Sequence, residues 1–219
     1  MNKTLRNTVM AGWMMAGAWG TMSQAKTSDP AGAGRNVMIV YVYDYAHQDP
    51  RILLKAETIA AAVFEQAGIQ AIVVDDGAAT EDPTMVPSAS SIPRITVSIL
   101  TPERARPLGL ACNVLGGAPG QPTDANRNLV YIVDHVANKL AEQQPNVGKA
   151  RILGHAIAHE IGHLLLNMTG HSETGLMKAD WKPEDMQSMT LGQLTFDAAQ
   201  IARIQAEVLR RARQRQQSK

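Results

Sequence analysis

Residues 159–177 read HEIGHLLLNMTGHSETGLM and gather metal-ligand chemistry into a short span. His159 and His163 are one helical turn apart, so on a helix they share a face and can converge on a single ion. Neutral imidazole is a good donor for zinc, at Zn–N distances of about 2.0–2.1 Å. Glu160, next to the first histidine, projects beside such an ion rather than at it. There it is placed to take a proton from a zinc-bound water and to hand one to a leaving amine.

A metal that does chemistry needs three protein ligands and an open position. The helix must therefore end after His163 and the chain must turn back. Asn167 tolerates the left-handed conformation that closes helices, and Gly170 offers a second flexible point. His171 is then the leading candidate for third ligand. Glu173 and Asp180 are the alternatives, and a site with no third ligand is the remaining reading. His155 lies on the same helical face one turn before His159, but it stands about 12 Å along the axis from His163. Two ligands of one ion cannot be that distant, so His155 is expected to pack or to support, not to ligate.

These residues resemble the metzincin zinc metalloproteases, whose pattern is His-Glu-x-x-His-x-x-Gly-x-x-His followed by a methionine turn. Leu166 stands where that pattern has glycine, and His171 arrives two residues late. The longer stretch is more similar to uncharacterised exported bacterial proteins akin to metzincins. Those read HEIGHLLLG, a short spacer, HS..GIM, a tryptophan, and later GQL.F....A..I. This chain has HEIGHLLL (159–166), HS (171–172), GLM (175–177), Trp181, GQLTF (192–196) and Ala199 to Ile204. Asn167 takes the place of their helix-ending glycine, so the late histidine reads as a longer exit loop.

The resemblance implies a zinc ion held by His159, His163 and His171, with Glu160 as general base. It also implies that Met177 packs beneath the ligands; an ordinary core methionine is the plainer alternative. The implied fold is α/β (α+β): a twisted mixed sheet, an active-site helix, and a small C-terminal helical subdomain from about residue 168.

Residues 36–46 and 69–76 are β-branched or aromatic runs and predict strands, with a helix over 50–68 between them. Parallel strands joined by a helix make a right-handed unit. A Pro/Ser/Ala-rich loop (77–92) leads to a strand at 94–100, and 108–117 offers a short edge strand. Residues 128–136 fit strand or helix; a strand to about Val133 and then a helix to about Gln143 is preferred. Pro145 is expected to open the motif helix, which Ile157, Ile161, Leu164 and Leu165 make amphipathic. Thr195 is expected to cap the last helix, with Asp197 in its first turn.

Composition bounds the rest. With 219 residues, 45% of them hydrophobic, the chain suits one domain over 36–219. Its formal charge of +1 gives no sign of a nucleic-acid partner, and the basic tail 210–219 reads as a solvated helix end. Lys3 and Arg6, an apolar stretch too short for a membrane span, and small residues in SQA (23–25) together predict a signal peptide over 1–25. Residues 26–35 then form a flexible lead-in. Of 21 Lys and Arg, two leave with that peptide, so 19 face 20 acidic residues. Cys112 is the one cysteine, so no internal disulfide can form. It is expected to be buried, with a reactive thiol or a metal ligand as alternatives.

The expectation is a secreted or periplasmic zinc metallopeptidase, monomeric, without a membrane span once the signal is removed, acting on peptide or protein. A peptide could pair along the edge near residues 112–117. No tyrosine follows the motif, so the sequence assigns no oxyanion donor. Two other classes compete: a secreted zinc-containing binding module without turnover, and a zinc hydrolase of non-peptide amides or esters. A fourth ligand from Asp180, Glu173 or Cys112 would favour the binding module.

Overall fold

The computed structural model describes residues 36–75, 91–110, 115–117 and 128–217. The signal-peptide segment, the lead-in and Cys112 lie outside the described residues. Among the described residues five strands form one mixed sheet: β1 (Val37–Asp44), β2 (Gln70–Asp75), β3 (Arg94–Leu100), β4 (Gly116–Gly117) and β5 (Leu129–Val133). Six α-helices accompany them among the described residues. They are α1 (Pro50–Gln66), α2 (Pro102–Ala105), α3 (Asp134–Gln143), α4 (Lys149–Leu166), α5 (Pro183–Thr190) and α6 (Ala198–Gln217).

The sheet order is β2-β1-β3-β5-β4, parallel throughout except for β4, which runs antiparallel to β5 at one edge. Alternation along each strand sends Val40, Val42, Ile95, Val97, Ile99, Val130 and Ile132 into one core with residues of α1 and α4. That core continues through Leu176, Met177, Met186, Met189, Phe196, Ile204 and Val208. Burying each large aliphatic side chain contributes about 1.5–3 kcal/mol, so the sheet, α4 and the C-terminal elements are one cooperative body.

Local chemistry sets the element ends. Asp49 caps α1 by accepting from the backbone of Arg51 at 2.8 Å, with Pro50 at the first helical position. Helices α1 and α4 pack tightly because Gly154 has no side chain. A Cβ there would stand 2.6 Å from the Ala56 carbonyl oxygen and 2.8 Å from Ile59 Cβ.

The expected bounds hold for β3 and for the strand-then-helix reading of 128–143, where β5 passes directly into α3. Several other expectations are corrected. Pro145 does not open the motif helix: residues 145–147 are a turn, and α4 begins at Lys149 behind Gly148, whose φ is 78°. Nor is α4 simply amphipathic. Residues 152–162 are all buried, because α1, α3, α6 and the sheet surround it.

Among the described residues of 108–117, Gly116 and Gly117 are strand, and residues 106–108 form a 3-10 turn. Thr195 does not cap the last helix. Asp197 does, accepting from Gln200 N at 2.8 Å while Gln200 Oε1 accepts from Asp197 N at 3.0 Å. Helix α5 is an addition to the sequence reading, although Pro183 followed by Glu184 and Asp185 is a helix-start signal. No helix among the described residues is long and apolar enough to cross a membrane.

Candidate metal centre

The helix α4 carries His159, Glu160 and His163 and ends at Asn167, whose φ of 49° and ψ of 49° are left-handed. Its backbone N–H returns to the His163 carbonyl, which also accepts from Met168 N at 3.3 Å. Gly170, by contrast, is not among the residues of positive φ; Gly175, with φ 70°, is the glycine on which the following turn depends.

Each helix histidine is oriented by a bond from its other ring nitrogen. His159 Nδ1 donates to the Leu176 carbonyl at 2.8 Å, and His163 Nδ1 donates to the Met168 carbonyl at 2.9 Å. A carbonyl can only accept, so both protons sit on Nδ1 and both Nε2 atoms present lone pairs. Those two Nε2 atoms are 3.0 Å apart. Facing lone pairs repel at that separation unless a cation lies between them. Tetrahedral zinc would hold such nitrogens about 3.3 Å apart.

His171 completes the group: donor atoms of His159, His163 and His171 all lie within 4.8 Å of one another. Its ring stacks against His159 at 5.4 Å between centroids and meets His163 edge-on at 4.8 Å. The three histidines are therefore close enough to bind one metal ion. An all-imidazole set suits zinc, copper, iron or nickel, and geometry alone does not choose among them. His155, Glu173 and Asp180 do not join this group. His155 is buried and bonds through Nδ1 to the Arg151 carbonyl at 2.8 Å, one turn back on its own helix. Glu173 and Asp180 are exposed.

Burial pulls the His159 pKa down to about 4, against the opposing Leu176 bond and with help from His163 and His171. Burial also lowers His163. Both rings are thus neutral at pH 7, the form that ligates a metal. Glu160 is 6% exposed, and burial pushes its carboxyl up to about 8. A nearby cation would draw it down again toward the ionised form. Its Oε1 lies 4.0 Å from His159 Nε2, close beside the ligand group but outside it.

Three neighbours of the site were not legible as such. Trp181 Nε1 donates to the same Leu176 carbonyl at 3.1 Å, and its ring meets His159 edge-on at 5.8 Å. Gly116 of β4 leaves room for Glu160: a Cβ there would stand 2.6 Å from Glu160 Cγ and 2.6 Å from the Tyr131 carbonyl oxygen. Gly162 does the same for Met177, which is fully buried. Trp181 belongs to the stretch that carries the resemblance and Gly116 to the expected edge strand, but no local signal tied either one to His159 or Glu160. Comparison of the chain with protein-family models and with curated protein sequences finds no match.

Proposed function

We propose that the chain is an exported zinc-dependent metallopeptidase of metzincin-like type. The reading rests on one observation above the others: three histidine donors converge within 4.8 Å, with a buried carboxylate 4.0 Å from one of them. Zinc held there supplies Lewis acidity, polarising a carbonyl and acidifying water to a pKa of about 7. His159 and His163 bind it as neutral donors from a rigid helix, and His171 closes the set from the exit loop. Glu160 takes the proton from the attacking water and delivers it to the leaving amine. Met177 and Phe196 fill the space under Gly162 and keep the ligand-bearing turn of α4 in place.

The surroundings suit a peptide. Strand β4 is the antiparallel edge of the sheet and packs against Glu160 through Gly116. An extended chain laid along that edge would pair by backbone hydrogen bonds, which demand no particular side chains. His171 is exposed, so the ligand group is open on one side, as turnover requires and a closed structural shell does not. The metzincin-like part of the reading draws on the mixed sheet, the central helix α4, the turn carrying Met177 and the closing helix α6.

The test is digestion of a diverse peptide library by zinc-loaded protein, read by mass spectrometry, with and without a chelator. Cleavage that the chelator abolishes and zinc restores is the expected result. Stoichiometric zinc without any cleavage would instead favour a binding module.

A further inference from the structure

We propose that Ser172 and Gln200 form a latch by which the C-terminal helix positions the third metal ligand, His171. The three ligands are not held alike. His159 and His163 ride on a buried helix, and each has a ring bond to a carbonyl. His171 is exposed, lies in the loop between α4 and α5, and makes no ring hydrogen bond among the described residues. Its ring touches the two other ligands, but the only hydrogen bonds that anchor its position among the described residues are those of the backbone and side chain beside it.

That backbone is tied down at Ser172. The Ser172 N–H donates to the Met177 carbonyl at 2.7 Å, closing the loop on the turn beneath the site. The Ser172 hydroxyl accepts from Gln200 Nε2 at 2.6 Å, across 28 residues of sequence. Gln200 is only 6% exposed and sits in the first turn of α6. Its amide oxygen accepts from Asp197 N, and its backbone N–H donates to Asp197 Oδ1. A flipped amide would aim its NH2 at the Asp197 N–H, so the donor faces Ser172 only. The helix cap and the ligand loop are thus one hydrogen-bonded unit, and Gln200 is a positioning residue.

This inference rests on the histidines binding the metal and not on peptide hydrolysis. The experiment therefore reads metal affinity, by competition of zinc with a chromophoric chelator, and the visible spectrum of the cobalt(II) form. Ser172→Ala and Gln200→Ala are compared with wild type, each also in a His171→Ala background, after circular dichroism confirms folding. Gln205→Ala is the control, because Gln205 makes a comparable bond from α6 to the Ala67 carbonyl at 2.8 Å, away from the site.

The latch predicts about 10-fold weaker metal binding in each single variant, at the low end for residues that orient ligands. It also predicts altered cobalt bands, no change from Gln205→Ala, and no further weakening once His171 is absent. If Gln200→Ala does not fold, Ser172→Ala carries the comparison alone. Wild-type affinity in the latch variants, equal weakening in the His171→Ala background, or the same loss from Gln205→Ala would overturn the latch and leave the metal centre standing. Failure of wild type to bind any metal would overturn both.

Discussion

Met177 Sδ lies 2.7 Å from the point where a Cβ on Gly162 would stand, and Phe196 Cε1 lies equally close. The turn of α4 that carries His163 therefore has a floor of sulfur and aromatic ring pressed directly on its backbone. Gly162→Ala decides between two effects of opposite sign. Alanine in an unconstrained helix would stabilise by roughly 1 kcal/mol over glycine. Overpacking typically costs about 1–3 kcal/mol. Because the contacts are with buried groups, urea unfolding should show a net loss of stability; a net gain would mean that Met177 and Phe196 yield freely.

The metal assignment separates two histidines that share a helix face or a loop in the sequence. His171→Ala should weaken metal binding strongly, whereas His155→Ala should keep one metal per chain and lower only thermal stability. Wild type should also gain about 2.7 kcal/mol of stability at a metal concentration 100 times its dissociation constant. Metal analysis and thermal melts of the two variants check this. Equal metal retention in both would remove His171 from the site.

Much of this arrangement was readable beforehand, and the reasons differ by element. The spacing of His159 and His163 encodes a shared face, and Asn167 encodes the helix end, because both depend on local geometry. The parallel strand–helix–strand unit followed from periodicity and punctuation in the same way. The errors came where tertiary contacts decide. Thr195 and Asp197 are both good caps by type; only the reach to Gln200, itself bound to Ser172, selects Asp197. Pro145 looked like a helix start, but Gly148 sets it. Gly116 could not declare its role, because Glu160, which it accommodates, is 44 residues away in sequence.

Glu57 gives a pH dependence unrelated to the metal. It is 7% exposed on the buried side of α1, and its Oε1 has no hydrogen-bond partner among the described residues. Burial, reinforced by Asp75 and Asp44, raises its pKa from 4.5 to about 7. Between these values the folded chain binds more protons than the unfolded one, so stability falls as pH rises. The loss begins near pH 4.5, is complete just above pH 7, and amounts to about 3 kcal/mol. Glu57→Gln should match wild type at pH 4 and exceed it at pH 8. Denaturant titrations at both pH values check this; parallel pH profiles would show that Glu57 is solvated.

Glu160 acts on the proton, and the histidines act on the metal, so one substitution separates chemistry from binding. Glu160→Gln keeps the size of the side chain and removes the carboxylate that accepts the proton. The direct measurement is kcat/KM on a peptide that zinc-loaded wild type cleaves, with zinc content determined on the same samples. The metallopeptidase reading predicts one zinc per chain in both proteins and a fall of at least about 10²-fold in the variant, the lower range for general acid–base help. A zinc-loaded Glu160→Gln protein that cleaves the peptide as fast as wild type would contradict it.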